Sequence, residues 1–268
     1  MNETAMKTLV VIPARYASSR FPGKPLALLA GKPIVDYAYS VALDARVARA
    51  VVATDDERIR EHMELAFGPD SVMMTSDSHR SGTDRCGEVV RRLAERGQHF
   101  DAVVNLQGDE PFAEPAQIQA LVQRMALGFT DIATLRTPIA SLAELLSPDN
   151  VKVVCADSGQ ALYFSRQPLP YRRGVQPERW LDGTPYYKHV GIYAFRTPVL
   201  EAVCRLPQGL LEECEKLEQL RWLAAGYRID VVDTAHANIG IDTPADLAAA
   251  ERSLAARQST NDRTKESK

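Results

Sequence analysis

Short apolar runs alternate along this chain with longer stretches in which apolar residues recur every three or four positions. The runs at 9–12 and 50–53 are too short for buried helices and read as strands covered on both faces. Residues 71–75, 102–107 and 131–135 read the same way, with 102–107 the strongest. Between them, 57–66, 83–96 and 115–127 carry the helical period. In 83–96, Cys86, Val89, Val90 and Leu93 fall on one face, and Thr54-Asp55-Asp56 offers a cap ahead of 57–66. This alternation predicts an α/β chain with a mostly parallel, Rossmann-like sheet and helices on both faces.

From residue 151 the pattern changes. Strands at 151–156 and 161–164 flank Asp157-Ser158-Gly159-Gln160, a hairpin turn. A Pro- and Arg-rich loop covers 167–185, and a strand follows at 189–195. The section at roughly 151–210 therefore reads as a smaller antiparallel insertion, a place for a second substrate or a partner subunit to dock. A helix at 213–225, a strand at 228–232 and a helix at 244–256 return to the main layer, so 1–256 are expected to form one domain. Residues 257–268 are polar and charged and are expected to be disordered.

Composition narrows the classes. A chain of 268 residues with 45% hydrophobic and 25% charged residues is ordinary for a globular protein. A net charge of −3 argues against general nucleic-acid binding, which needs a broad basic face. No apolar run approaches the length of a membrane span, and the first residues lack a signal-peptide plan. Cys86, Cys155, Cys204 and Cys214 are scattered, with no Cys-x-x-Cys, and read as reduced thiols. A soluble cytoplasmic protein is expected, with no membrane or nucleic-acid partner.

The candidate chemistry begins at Pro13-Ala14-Arg15-Tyr16-Ala17-Ser18-Ser19-Arg20-Phe21-Pro22-Gly23-Lys24-Pro25. A first strand empties here into a Pro/Gly-stiffened loop with three cations, Arg15, Arg20 and Lys24. The carboxyl edge of an open α/β sheet is where its ligand crevice lies. Gly23-Lys24 is followed by Pro25 and lacks the upstream glycine of a phosphate-binding P-loop, and the chain has no Gly-x-Gly. A phosphate-rich ligand is then held by side-chain charge; the alternative is a solvated basic loop.

Asp109, just past the end of the strand at 102–107, faces the same crevice and suits Mg²⁺ beside phosphate oxygens, or forms the turn Gly108-Asp109-Glu110-Pro111. Asp242 precedes Thr243-Pro244. Proline belongs at the first helical position, so Thr243 is the cap and Asp246 closes the pair. Asp242 is left without a capping task, which favours metal ligation. Ser81-Gly82-Thr83-Asp84-Arg85 opens a helix and offers N–H groups, a hydroxyl and a cation to an anion, as many capped helices do. His189 and Tyr193 share one strand face, where a structural histidine is the commoner finding, and Glu218-Gln219 reads as a solvated helix face.

Together with Gln107-Gly108-Asp109-Glu110-Pro111, Tyr163-Phe164-Ser165-Arg166, His189-Val190-Gly191-Ile192-Tyr193, Leu217-Glu218-Gln219-Leu220-Arg221 and Gly240-Ile241-Asp242-Thr243-Pro244, these segments occur in order. From about Lys7 to Ala255 the chain closely resembles the 3-deoxy-manno-octulosonate cytidylyltransferases of lipopolysaccharide biosynthesis. The resemblance implies a homodimeric α/β nucleotidyltransferase that uses CTP and Mg²⁺ to activate 3-deoxy-manno-octulosonate (Kdo). It implies that Arg15 and Lys24 bind the triphosphate, and that Ser81, Gly82, Arg85 and Gln107 surround the nucleotide. Asp109 and Asp242 become the metal ligands and, with Lys24, the catalytic group. Arg166, His189, Tyr193, Glu218 and Gln219 become the sugar site. The rival readings are a cytidylyltransferase for another acid sugar, such as sialic acid or amino-substituted Kdo, and a silent CTP-binding protein.

Overall fold

The computed structural model describes residues 6–17, 20–236, 238, 240–252 and 254, so the polar tail at 257–268 lies outside the described residues. The chain opens with β1 (Thr8–Pro13), buried along its whole length. A 3-10 turn at Lys24–Leu26 leads to the small hairpin of β2 (Leu28–Leu29) and β3 (Lys32–Pro33). There follow α1 (Ile34–Asp44), β4 (Arg49–Thr54), α2 (Glu57–Phe67), β5 (Val72–Met74), α3 (Gly82–Glu95) and β6 (Ala102–Asn105). Then come α4 (Pro115–Ala126), β7 (Ile132–Pro138), α5 (Leu142–Leu146), β8 (Lys152–Cys155) and β9 (Ala161–Ser165). The chain continues through β10 (Tyr187–Arg196), α6 (Thr197–Val203), α7 (Leu210–Glu215), α8 (Gln219–Ala224) and β11 (Ile229–Asp233). Residues 244–252 are helical.

The main sheet runs β11-β7-β10-β6-β1-β4-β5, with β8 attached to β10 and β9 to β8. Neighbours are parallel except at β10, which runs against both β6 and β7, and in the antiparallel β8–β9 hairpin. That hairpin turns where the sequence predicts, with Gly159 at φ 82° and the Ala156 N–H bonded to Gln160 O at 2.8 Å. The strand at 189–195, assigned to the insertion from sequence, lies instead in the middle of the main sheet. Only its first residues reach past β6, to pair with β8 at Lys188 and Lys152.

Burial on both faces explains the unbroken apolar runs. In β1, Leu9 and Val11 pack with Val89, Leu93 and Trp222, while Val10 and Ile12 pack with Val35, Ile118 and Leu121. All four strand residues are fully buried, each contributing about 1.5–3 kcal/mol.

The helix predicted at 213–225 is in fact two, α7 and α8. They part at Lys216, which takes the left-handed conformation (φ 55°, ψ 45°). Tertiary contacts on each side of the break account for it. The Glu215 carboxylate accepts from Ser165 Oγ (2.6 Å) and the Arg166 N–H (2.9 Å), and that of Glu218 accepts from Ser81 Oγ (3.0 Å) and Thr83 Oγ1 (2.8 Å).

Candidate active site

Because β1 and β6 are parallel neighbours, both release their chains at the same sheet edge. The two exits nearly touch: a Cβ on Gly108 would lie 2.8 Å from Pro13 O, so only glycine allows this approach. Above them opens a crevice of about 350 Å³ lined by Arg15, Arg20, Lys24, Gly82, Gln107, Asp109 and Asp242, among others. Gly82 is the first residue of α3, capped by Ser81 Oγ, which accepts from the Asp84 N–H at 3.1 Å.

Lys24 is the electrostatic centre of this crevice. Gly23, at φ 75°, turns the loop into the 3-10 segment that carries it. The Lys24 Nζ lies 2.5 Å from Asp109 Oδ2 and 3.2 Å from Asp242 Oδ1. Arg20 adds a contact to Asp242 Oδ1 at 3.1 Å. Asp242 arrives from far along the chain, positioned by the neighbouring Ile241. The Ile241 N–H donates to Asp109 O at 3.1 Å, and its side chain is fully buried against Leu29 and Ile34. Thr243 and Asp246 form the reciprocal cap that the sequence indicates: the Asp246 N–H donates to Thr243 Oγ1 (3.2 Å) and the Thr243 N–H to Asp246 Oδ2 (2.8 Å). The Asp242 carboxylate therefore faces the crevice rather than the helix.

A larger chamber of about 850 Å³ adjoins the crevice, sharing Arg20 and Asp242 with it. Arg166 and His189 line it. The His189 ring lies between Phe164 and Tyr193, and burial pushes its pKa down to about 3, so the imidazole is neutral. Thr134 Oγ1 donates to Ile192 O at 2.9 Å, so the 2.9 Å contact to His189 Nε2 assigns that nitrogen the proton and leaves Nδ1 as an acceptor.

Sequence reasoning missed Glu110, which also lines this chamber. Its Oε2 is buried with no partner among the described residues. Burial, and then the charge of Asp109, pushes its pKa up to about 8. The available signal was its place in the Gln107–Pro111 motif beside Asp109.

Four other predicted residues sit elsewhere. Arg85 is fully buried; its guanidinium donates to Thr75 Oγ1 (2.5 Å) and pairs with Asp55 (2.9 Å), so it braces α3 against the sheet and does not line the crevice. Tyr193 is buried against Trp222 and Phe195, its hydroxyl unpartnered among the described residues, and lies outside the chamber lining. Glu218 ties α8 to the start of α3 and to Arg221, and so does not stand on a solvated face. Gln219 is buried in α8 and lines neither cavity. Ser81, with its hydroxyl committed to the cap and to Glu218, borders a smaller pocket beside the crevice.

Among the described residues no cluster of three His, Cys, Asp or Glu forms a closed metal cage. The residues nonetheless fit a hard cation that completes its shell with phosphate oxygens and water. Asp109 and Asp242 already converge on one cation, the Lys24 ammonium, and Glu110 adds a buried carboxyl oxygen without a partner among the described residues.

A mostly parallel α/β sheet whose first strand opens into a cationic loop opposed by two aspartates defines a nucleotidyltransferase. Comparison with known proteins agrees: the sequence matches the cytidylyltransferase family over residues 9–229. The 3-deoxy-manno-octulosonate cytidylyltransferase of Parabacteroides distasonis is 48% identical over 256 residues, covering 94% of this chain and 100% of the relative. That of Porphyromonas gingivalis is 49% identical over 244 residues, covering 90% and 94%. A solved structure of CMP:2-keto-3-deoxy-manno-octonic acid synthetase complexed with CTP, 42% identical, matches with a TM-score of 0.85 over 94% of this chain and 99% of that one. The chain belongs to the 3-deoxy-manno-octulosonate cytidylyltransferase family.

Proposed function

We propose that this chain transfers the cytidylyl group of CTP to Kdo, giving CMP-Kdo and diphosphate. The observation that carries the reading is the pair of connected cavities: a cation-rich crevice sized for a nucleotide, opening into a chamber lined by Arg166 and a neutral His189. Arg15, Arg20 and Lys24 neutralise the triphosphate, and Gly82 lets the phosphates approach the first turn of α3. The anomeric hydroxyl of the sugar attacks the α-phosphorus in line, and the bond to the β-phosphate breaks. The transfer is direct, and the protein's part is positioning and charge neutralisation. Asp109 and Asp242 would hold Mg²⁺, which when bound offsets phosphate charge and lowers the pKa of the attacking hydroxyl. Once phosphate is present Lys24 turns from the two aspartates to the anion. His189, neutral across the working range, serves the sugar as a hydrogen-bonding group and not as a charge.

The same reading makes the chain a cytoplasmic enzyme supplying activated sugar for lipopolysaccharide. No described helix is long and apolar enough to cross a membrane. It also makes the chain a homodimer, supported by the exposed Leu162, Tyr171, Leu210 and Leu211 of the middle section. Diphosphate release from CTP, measured against a panel of 2-keto acid sugars with and without Mg²⁺, tests the proposal. Release with Kdo above all other sugars is expected. A preference for sialic acid, or no release with any sugar, refutes it.

A further inference from the structure

β11 ends at Asp233, the helix at 244–252 begins just past Asp242, and the run between them is neither helix nor strand where it is described. This run carries Asp242 to the crevice. Two backbone bonds tie it to the body of the protein: the Thr234 N–H donates to Arg136 O (2.8 Å) and the Ile241 N–H to Asp109 O (3.1 Å). Between those ties lies Gly240, the residue type with the most conformational freedom to lose. A carboxylate that acts at a reacting centre cannot hang from a slack run, since a misplacement of about 1 Å can cost on the order of a hundredfold in rate.

One buried side chain removes the slack. Gln117, on the first turn of α4 and 1% exposed, donates from Nε2 to His236 O (3.1 Å) and to Asn238 Oδ1 (3.0 Å). A third approach, to Thr234 Oγ1 at 3.5 Å, lies at the limit of a hydrogen bond. The carboxamide oxygen is used too. It accepts the Glu114 N–H at 2.9 Å, one half of the capping box that starts α4. The cap alone does not call for glutamine, because glutamate at this place in a capping box accepts the same N–H but has no donor. What glutamine adds is the amide nitrogen, and its two short bonds both go to the run that leads to Asp242.

We propose that Gln117 is a positioning residue for the cytidylyl transfer: its amide latches residues 236–238 to α4 and so holds Asp242 beside Asp109 and Lys24. The consequence for turnover rests on the proposed function; the latch itself does not.

The test compares the full wild-type chain with Gln117→Glu, Gln117→Met and Glu114→Ala. Gln117→Glu keeps the acceptor of the cap and turns a second acceptor toward His236 O. Gln117→Met loses cap and latch together, while Glu114→Ala damages the cap from its other side and leaves the latch. The first measurement is amide hydrogen exchange read by mass spectrometry. Peptides covering 236–242 should exchange about tenfold faster in both Gln117 variants and at the wild-type rate in Glu114→Ala. Peptides from the first turn of α4 should follow the cap instead, faster in Gln117→Met and Glu114→Ala and near wild type in Gln117→Glu. The second measurement is diphosphate release. Both Gln117 variants should need about tenfold more Mg²⁺ for the half-maximal rate, while the KM for Kdo stays within about twofold of wild type.

Unchanged exchange at 236–242 in both Gln117 variants overturns the proposal. Equal loosening of that run in Glu114→Ala also overturns it, since Gln117 would then be a helix cap and nothing more. So does a KM for Kdo that rises while the magnesium requirement stays put. Wild-type chain that releases no diphosphate with any sugar refutes the functional reading instead, and the exchange measurement still decides the latch.

Discussion

Replacing Lys24 with methionine keeps most of the side chain's length and removes its charge. The lost ammonium lies 2.5 Å from Asp109 and 3.2 Å from Asp242, on a side chain only 11% exposed. A charge-assisted contact of this kind contributes about 1.5–3 kcal/mol. Asp109 and Asp242 keep 31% and 47% of their side-chain exposure, and Asp242 keeps Arg20, so water and the arginine offset part of the loss. A net destabilisation of about 2–3 kcal/mol results. In a domain of this size it lowers the melting temperature by roughly 4–12 °C. The more discriminating measurement is the response to magnesium in the absence of nucleotide. Without the ammonium, Asp109 loses its cation and Asp242 keeps only Arg20, both beside Glu110, so Mg²⁺ should raise the melting temperature of Lys24→Met more than that of wild type. Calorimetric CTP affinity should fall about a hundredfold as the same charge is lost to the phosphates. An unchanged melting temperature with identical magnesium responses would refute the reasoning, because it would mean that the ammonium neither compensates the aspartates nor stands in a cation site.

Asp109→Asn and Asp242→Asn should each cut diphosphate release by about a hundredfold or more while leaving the folded state intact; near-normal turnover at saturating Mg²⁺ would remove them from the chemistry. Asp230→Asn should cost about 3 kcal/mol by urea unfolding at neutral pH, since the carboxylate is 1% exposed and holds Thr130, Arg124 and Arg228. These partners hold its pKa below the ordinary carboxylate value. The stability is therefore present above the unfolded-state pKa, so the gap to wild type should stay constant down to about pH 4 and close only below it. A gap that closes between neutral pH and pH 5 contradicts that assignment. Gly108→Ala places a Cβ 2.8 Å from Pro13 O and should lower stability by about 1–3 kcal/mol with a larger loss of CTP binding, checked by thermal unfolding and calorimetry.

What the sequence discloses here is what short-range patterning can encode. Leu9 to Ile12 reads as a doubly covered strand because both faces of β1 are buried. The free status of Asp242 is legible because Pro244 fixes the cap one residue upstream of itself, a local rule. Where long-range contacts decide, the sequence is silent. Apolar residues continue at helical spacing through Lys216, so nothing local announces the break that Glu215 and Glu218 impose. Arg85 looks like one more cation at a helix start, and only the fold reveals Asp55 and Thr75 beneath it. Glu110 resembles an ordinary turn acid until its burial is known, and the alternation in 189–195 marks a strand without naming its neighbours.

Those neighbours bear on how the molecule is made. β10 separates β6 from β7, pairing at Tyr193 with Asn105 on one side and Thr134 on the other, while its first residues wall the larger chamber. Synthesis delivers β6 and β7 well before β10, so until residue 196 has emerged the nascent chain holds β6 with one edge unpaired and β7 with both, since β11 comes later still. Strands in that condition invite pairing with another chain, and the closing contacts span long stretches of sequence, which slows the final step. The strand that fills the gap between β6 and β7 also supplies one part of the chamber wall. A chain stopped short of it is thus left with neither a joined sheet nor a whole chamber, and partial synthesis yields a sticky fragment rather than a half-built enzyme.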